Sequence, residues 1–201
     1  MQKKEMLPIL YQGAALFKEN LADKIFLFIG QGDARGDYYT IEAIFEQRNF
    51  MHLTGCKPAS PMPAEAFLEL CLSKRLSIDD FTVTSQTALK MQVLESLMRL
   101  PYTAKMLGDY ADTGDFLYTE KLAGHIRGCI GFQLGDKAPY YSPNTALRTD
   151  IRNNTTFSRK ILAIYAKQIG ALHYDSSPVM VAKELRSKEL IWPDVISEKI
   201  Q

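Results

Sequence analysis

The segment Phe50–Cys56, with the sequence FMHLTGC, places a histidine and a threonine two residues apart in an otherwise apolar run. The alternation predicts a strand, in which His52 and Thr54 project from one face and Met51 and Leu53 from the other. An imidazole beside a hydroxyl can form a catalytic surface, because imidazole gains and loses a proton near neutral pH. The alternative is a core histidine with a hydrogen-bond partner.

A second candidate is the arginine of the segment GHIRGCIGF, which the pattern predicts as a strand over 125–133. In a strand, His125, Arg127 and Cys129 would share one face. A guanidinium on an otherwise buried strand suits the recognition of phosphate or carboxylate. The alternative is an edge strand whose polar face meets water.

The stretch YYSPNTALRTD, residues 140–150, offers groups that could bind a substrate from a loop. Tyr141 supplies a ring on which a base can stack, and Ser142, Asn144 and Thr145 supply hydrogen-bonding groups. The alternative is an ordinary capped turn, for which Ser-Pro-Asn-Thr is typical.

Lys160 is a further substrate-binding candidate, because it lies on a predicted central strand. The alternative is a strand-end lysine whose charge reaches solvent along an apolar stem.

Together these groups could cleave RNA without a metal. The reaction needs a general base for the 2′-hydroxyl, a general acid for the 5′-oxygen and a cation for the pentavalent phosphate. We expect His52 to act as acid or base, Thr54 to orient it or bind phosphate, and Arg127 to stabilise the phosphorane. We expect no metal and no cofactor, because the sequence contains no HExxH, Walker, GxGxxG or GxSxG motif.

The composition favours a folded, soluble, cytoplasmic protein that does not span a membrane. The 201 residues are 46% hydrophobic and 23% charged, with a net charge of +1. The near-neutral charge does not imply strong nonspecific binding to duplex nucleic acid. The cysteines, Cys56, Cys71 and Cys129, are widely spaced, which argues against structural zinc and for a reduced compartment.

The hydrophobic pattern predicts an α+β fold in one domain over residues 1–201, with a mostly antiparallel sheet. A helical insert is expected at about residues 64–108. The predicted helices are 5–22, 64–73 and 85–100, and the predicted strands are 24–30, 38–45, 50–54, 116–123, 125–133 and 158–167.

Four segments resemble one family. They are NFMHLTGC after a hairpin, ALKMQVLESLM in the insert, EKLAGHIRGCIGF and YYSPNTALRTDI. They are similar to the phage-associated barnase–EndoU–colicin–RelE-like (BECR) nuclease domains, in particular the fourth phage subtype, over about residues 14–185. The most specific element is F-x-H-L-T-G at Phe50–Gly55.

The resemblance implies an N-terminal helix and a helical insert packed on a twisted antiparallel sheet, and a metal-independent ribonuclease of phages, prophages or other mobile elements. It implies a toxin-like activity on RNA such as tRNA or mRNA, and it leaves room for a cognate inhibitor protein as a partner. In the F-x-H-L-T-G element, His52 and Thr54 match the family individually. Arg127 and the segment 141–145 match only in their approximate position along the chain.

Two other functions stay open from the sequence alone. An ADP-ribosyltransferase would need a catalytic glutamate near the far end of the sheet, where Glu184 and Glu189 are the late candidates and neither lies in a motif. A noncatalytic phage module that binds protein or nucleic acid would make His52 a buried structural residue.

Overall fold

The computed structural model describes residues 1–34, 36–111 and 118–201. Helix α1 (Lys3–Asn20) begins the chain, close to the predicted 5–22. Its buried side chains include Met6, Leu10 and Phe17, which recur at helical spacing and face the core.

The strands of the described residues form one large sheet and one small one. The strands are β1 (Lys24–Gln31), β2 (Tyr38–Phe45), β3 (Lys57–Pro58), β4 (Phe81–Thr82), β5 (Met106–Tyr110), β6 (Lys121–His125), β7 (Gly128–Leu134), β8 (Tyr141–Leu147), β9 (Thr155–Gln168) and β10 (Met180–Val181). Strands β3 and β4 form the small sheet. The large sheet has the order β1-β2-β8-β7-β6-β5-β9-β10, and β9 also pairs with β1, which closes seven of its eight strands into a barrel. All of its pairings are antiparallel except β2 with β8.

Strand β9 is central, as the doubly apolar pattern of 158–167 predicted. Its first part pairs with β5 and its second part with β1. Ile164 packs in the main core with the helices, whereas Ala163 and Tyr165 pack in a second core on the outer face. Burial on both faces explains the absence of a polar stripe in this part of the strand.

Five helices lie between β2 and β5, and a short one lies near the end of the chain. They are α2 (Asn49–Thr54), α3 (Ala64–Leu72), α4 (Thr87–Met91), α5 (Leu94–Leu97), α6 (Leu100–Thr103) and α7 (Asp194–Ser197). Together with α1 and the barrel they give the predicted α+β fold, an N-terminal helix with a large, mostly antiparallel sheet.

The prediction of one continuous helix over 85–100 was wrong, because three short segments replace it. The buried side chains Met91, Leu94, Leu97 and Leu100 recur every three residues. That period is shorter than the 3.6 residues of an α-helical turn, so a single straight helix could not bury all four side chains on one face.

The prediction of a strand over 50–54 was also wrong: these residues belong to helix α2. Phe50 and Leu53 are fully buried at helical spacing, and Gly55 ends the helix with a left-handed φ of 70°. Successive helical residues are about 100° apart, so His52 and Thr54 point in nearly opposite directions. The shared strand face that the sequence predicted for them does not exist.

Two further boundaries differ from the sequence predictions. The predicted strand 125–133 begins at Gly128, because Ile126 and Arg127 form the turn between β6 and β7. The predicted strand 116–123 starts outside the described residues, and β6 begins at Lys121.

Residues 141–147, predicted as part of a loop, form strand β8 between β2 and β7. Pro143 is tolerated there at an irregularity, where the register with β7 shifts between Gly131 and Phe132.

Candidate active site between helix α2 and strand β8

His52 lies on the exposed side of α2 and lines a cavity of about 360 Å³. None of the hydrogen bonds within the described part of the chain involves its imidazole. Ser142 and Asn144 of β8 line the same cavity, because α2 packs against β8. Three of the residues predicted from the sequence therefore meet at one site.

Two cations lie at the rim of this cavity and are held by one carboxylate. Arg48 Nη2 lies 2.6 Å from Glu46 Oε2, and Lys137 Nζ lies 3.1 Å from Glu46 Oε1. Burial acts to raise the pKa of Glu46, but the hydrogen bonds from Lys137 and Arg48 outweigh it and lower that pKa. Glu46 therefore stays ionised and fixes both cations beside the cavity.

Asn144 is fixed in orientation by its neighbours. Its Nδ2 donates to the Tyr118 carbonyl at 2.9 Å and to Gln133 Oε1 at 3.3 Å, and its Oδ1 accepts from the Thr119 hydroxyl at 3.2 Å. Ser142 differs, because its half-buried hydroxyl makes no hydrogen bond to any described residue. Ser142 can therefore donate to a ligand without breaking an internal contact.

Thr54 is fully buried and does not reach the cavity. Its hydroxyl donates to the Met51 carbonyl at 2.7 Å and accepts from the Cys56 N–H at 3.1 Å. These bonds tie the last turn of α2 to the chain that follows Gly55. In the structure Thr54 supports the helix that carries His52.

Lys90 of α4 borders the site from the other side. Its Nζ lies 3.3 Å from the His52 backbone oxygen and 3.4 Å from Thr145 Oγ1. It lines a second cavity of about 660 Å³, together with Thr145, Lys57 and Arg148. Burial lowers the pKa of Lys90. Thr145, predicted as a substrate-binding residue, therefore belongs to this second cavity rather than to the first.

Arg127 lies in the exposed turn between β6 and β7 and lines neither cavity. Its backbone N–H donates to His125 Nδ1 at 3.1 Å, and His125 Nε2 lies 2.7 Å from Ser96 Oγ. Burial, and then the charge of Arg127, lower the pKa of His125. The strand face that was predicted to join His125, Arg127 and Cys129 is absent, because Arg127 precedes β7.

Lys160 and Tyr141 also lie outside the two cavities. Lys160 pairs with Glu184 at a separate cleft of about 500 Å³ beside β10. Tyr141 is half-buried, and Lys121 Nζ lies 5.9 Å from the centroid of its ring. Glu184, one of the two late glutamates considered for a transferase, thus forms an ion pair with Lys160.

A network of charged groups that the sequence did not predict lies at one end of the barrel. Tyr39 donates to Asp109 Oδ1 at 2.8 Å, and Lys121 pairs with the same carboxylate. Arg159 lies over the Tyr39 ring, 4.5 Å from its centroid, and binds Asp33 at 3.0 Å. Its cations are matched by carboxylates, which is typical of a structural ion-pair network.

Within the described ranges, no three His, Cys, Asp or Glu side chains are grouped as metal ligands would be. None of the described helices combines the length and the apolar composition needed to cross a bilayer.

The family model described as phage-Barnase-EndoU-ColicinE5/D-RelE like nuclease4 matches residues 9–178. The chain belongs to this nuclease family. No curated protein and no solved structure gives a significant match. The resemblance seen in the sequence is confirmed, and this phage BECR nuclease domain has nucleic acid as its expected class of substrate.

Within this nuclease domain, the sequence failed to indicate Lys90 and the cations Arg48 and Lys137. Arg48 and Lys137 are ordinary charged residues in polar stretches of the sequence, and only the packing of α2 and α4 against β8 brings Arg48 and Lys90 to the site. A lysine among the apolar residues of TALKM is the one local signal for Lys90.

Proposed function

We propose that the domain is a metal-independent endoribonuclease that uses His52 for proton transfer. The observation that carries the proposal is the His52 imidazole, which no described residue hydrogen-bonds, in the same polar cavity of about 360 Å³ that Ser142 lines. Two cations, Arg48 and Lys137, also line the cavity. Glu46 pairs with both and Asp136 lines the same cavity, so the two cations would offer hydrogen bonds to a substrate phosphate rather than an excess of positive charge.

The proposed reaction uses the 2′-hydroxyl of the substrate as the nucleophile. The 2′-oxygen loses its proton and attacks the adjacent phosphorus, and the bond from phosphorus to the 5′-oxygen breaks. The products are a 2′,3′-cyclic phosphate and a 5′-hydroxyl. His52 would accept the first proton or donate the second, which is work suited to an imidazole.

The side chains of β8 would bind and orient the substrate. No described residue hydrogen-bonds the Ser142 hydroxyl, so it can bind a substrate. Asn144 donates twice through Nδ2 within the protein, and only its Oδ1 could accept one more hydrogen bond. Thr54 would hold helix α2 in place rather than bind the substrate, because its hydroxyl already bonds Met51 and Cys56. Arg127 stabilising the phosphorane and Tyr141 stacking a base stay predictions, which Arg127→Lys and Tyr141→Ala would test in the same assay.

A toxin-like role would follow from such an activity. RNA cleavage in the cytoplasm harms the cell that makes the enzyme, so a cognate inhibitor would be needed wherever the domain is produced. Either tRNA or mRNA would offer the required unpaired, 2′-hydroxyl-bearing nucleotides.

The test compares RNA with DNA of the same sequence, each with and without EDTA. We expect cleavage of RNA alone, unchanged by EDTA, with cyclic-phosphate ends detected by mass spectrometry. Equal cleavage of DNA, or loss of activity in EDTA, would exclude the proposed reaction. A protein that cleaves neither substrate but binds one of them would instead be a binding module, and NAD consumption would indicate a transferase.

A further inference from the structure

We propose that the cavity beside Lys90 is a phosphate-binding subsite that holds the nucleotide next to the one at His52. The identification of the ligand as RNA rests on the proposed function; the anion site itself rests on the structure. The ligand class is a phosphate joined to an unpaired nucleoside, as found in single-stranded RNA.

The first reason is that Lys90 is a partly buried cation without a carboxylate partner among the described residues. Its side chain makes no ion pair with any described residue. Its two neutral acceptors, the His52 carbonyl and Thr145 Oγ1, lie at 3.3 and 3.4 Å, at the long end of the hydrogen-bond range. Partly burying a charge with so little compensation costs some stability, which an incoming anion would offset.

The second reason is the charge of the cavity. Lys57, Lys90 and Arg148 line it, and no Asp or Glu lies among its lining residues. Neither Lys57 nor Arg148 makes an ion pair with a described residue. Three cations converge here in a protein whose net charge is only +1. This excess of positive charge suits a phosphate group.

The third reason is the position of the cavity relative to His52. Lys90 bonds the carbonyl of His52, and the two cavities follow one another along β8, from Ser142 to Leu147. Leu89, at the edge of the second cavity, is 39% exposed and offers an apolar surface to a base or ribose. A strand of RNA could thus place one nucleotide in each cavity.

Inorganic phosphate tests the anion site without any catalysis. We expect phosphate to raise the melting temperature of the wild type above that in chloride of equal ionic strength. Lys90→Met should abolish this shift, and Lys57→Gln or Arg148→Gln, at exposed positions, should reduce it. The matched control is Lys188→Met, an exposed lysine outside both cavities, which should keep the full shift.

The stability of Lys90→Met without phosphate separates a binding role from a structural one. If Lys90 exists to bind an anion, removing its partly buried charge should leave the melting temperature unchanged or raise it. A clear fall would mean that Lys90 holds α2 to β8 and would contradict the proposal. If Lys90→Met does not fold, an unaltered phosphate shift in both Lys57→Gln and Arg148→Gln would overturn it.

The second experiment measures binding of a 2′-O-methyl uridine pentamer, which lacks the 2′-hydroxyl and cannot be cleaved by the proposed reaction. Lys90→Met should weaken binding roughly 10- to 100-fold, as expected for a lost charged hydrogen bond. It should also reduce the slope of log affinity against log salt by about 0.7, the value for one phosphate contact on a single strand.

The outcomes distinguish the two proposals. Equal binding by wild type and Lys90→Met would overturn the subsite and leave cleavage by His52 unaffected. Binding that depends on Lys90, in a protein that cleaves no RNA, would support the subsite and reject the proposed reaction. If the wild type binds neither phosphate nor the pentamer, the subsite proposal is overturned.

Discussion

The Nζ of Lys90 lies 3.3 Å from the backbone oxygen of His52. The last turn of α2 therefore forms the wall between the His52 cavity and the Lys90 cavity. Thr54 ties that turn down and can affect the site without touching a substrate, whereas Gly55 ends the turn and itself lines the Lys90 cavity.

Gly55→Ala should disturb Lys90 as well as the backbone. Gly55 has a φ of 70°, and a Cβ there would lie 2.8 Å from Lys90 Cδ. We expect a loss of about 1 kcal/mol in the free energy of unfolding from the left-handed backbone, and weaker binding of the 2′-O-methyl pentamer. Gly170→Ala is the control, since it has a φ of 92° and open space around it. It should lose stability but bind the pentamer normally. Equal affinity of Gly55→Ala and Gly170→Ala for the pentamer would contradict the expected disturbance of Lys90.

Thr54→Val should lower stability rather than chemistry. The substitution keeps the shape but leaves the buried Cys56 N–H without its acceptor, at a cost of about 1–3 kcal/mol. Thr54→Ser retains both hydrogen bonds and should behave nearly as the wild type in urea denaturation. Below the melting transition, cleavage per folded molecule should stay within a few-fold for both variants. A large fall in the rate of a fully folded Thr54→Val would restore a direct catalytic role.

Tyr39→Phe should destabilise the barrel end in a pH-dependent way. Burial acts to raise the pKa of Asp109, but hydrogen bonds from Lys121 and Tyr39 outweigh it and lower that pKa. The pKa of Tyr39 itself is raised to about 12, chiefly by burial. At neutral pH the lost bond to Asp109 should cost about 1 kcal/mol, at the low end for a charged acceptor because Asp109 is partly exposed.

The sign of the pH effect follows from the lowered pKa of Asp109. Its ionised form is favoured by folding, so the stabilisation is complete above the unfolded pKa of about 3.9 and is lost as the pH falls through the lower folded value. The difference in stability between wild type and Tyr39→Phe should therefore shrink in acid. Denaturation at pH 7 and near pH 3 measures it, and a difference that grows in acid would contradict the assignment.

Trp192→Ala should loosen the C-terminal segment, which lies beyond the residues that match the family. The Trp192 indole donates to the Tyr165 hydroxyl at 2.9 Å and packs edge-on against Tyr38, with ring centroids 5.3 Å apart. Since Trp192 is only half-buried, we expect a loss of about 2 kcal/mol. Ile191→Ala, at a site that is 76% exposed, should change stability by less than about 0.5 kcal/mol. RNA cleavage by folded protein should be unaffected in both.

Much of the sheet could be predicted because its strands have strong local patterns. Strands β1 and β2 and the middle of β9 lie where apolar runs and alternation placed them. Helix α2 could not be predicted from alternation, because in six residues Phe50 and Leu53 fit a helix while Phe50, His52 and Thr54 also fit a strand face. The glycine at position 55, a residue type common just after a helix, was the available signal for a helix end.

The candidate site was predictable only in part, for a physical reason. His52, Ser142 and Asn144 were identified by type and do meet, although on a helix and a strand rather than on a strand and a loop. Lys90 reaches the His52 backbone and Thr145 through packing between segments far apart in the chain, which no local pattern encodes. Arg127 was misplaced because a two-residue turn interrupts the predicted strand.

Single-turnover cleavage of a mixed-sequence RNA by wild type and His52→Ala tests the central claim most directly. Both proteins should be confirmed as folded by circular dichroism, and His173→Ala serves as the control, since His173 lies beside Glu198 and outside both cavities. Loss of one acid–base group should slow cleavage by about 10²–10⁴-fold in His52→Ala, with His173→Ala close to wild type. Cleavage by His52→Ala at the wild-type rate would contradict the account.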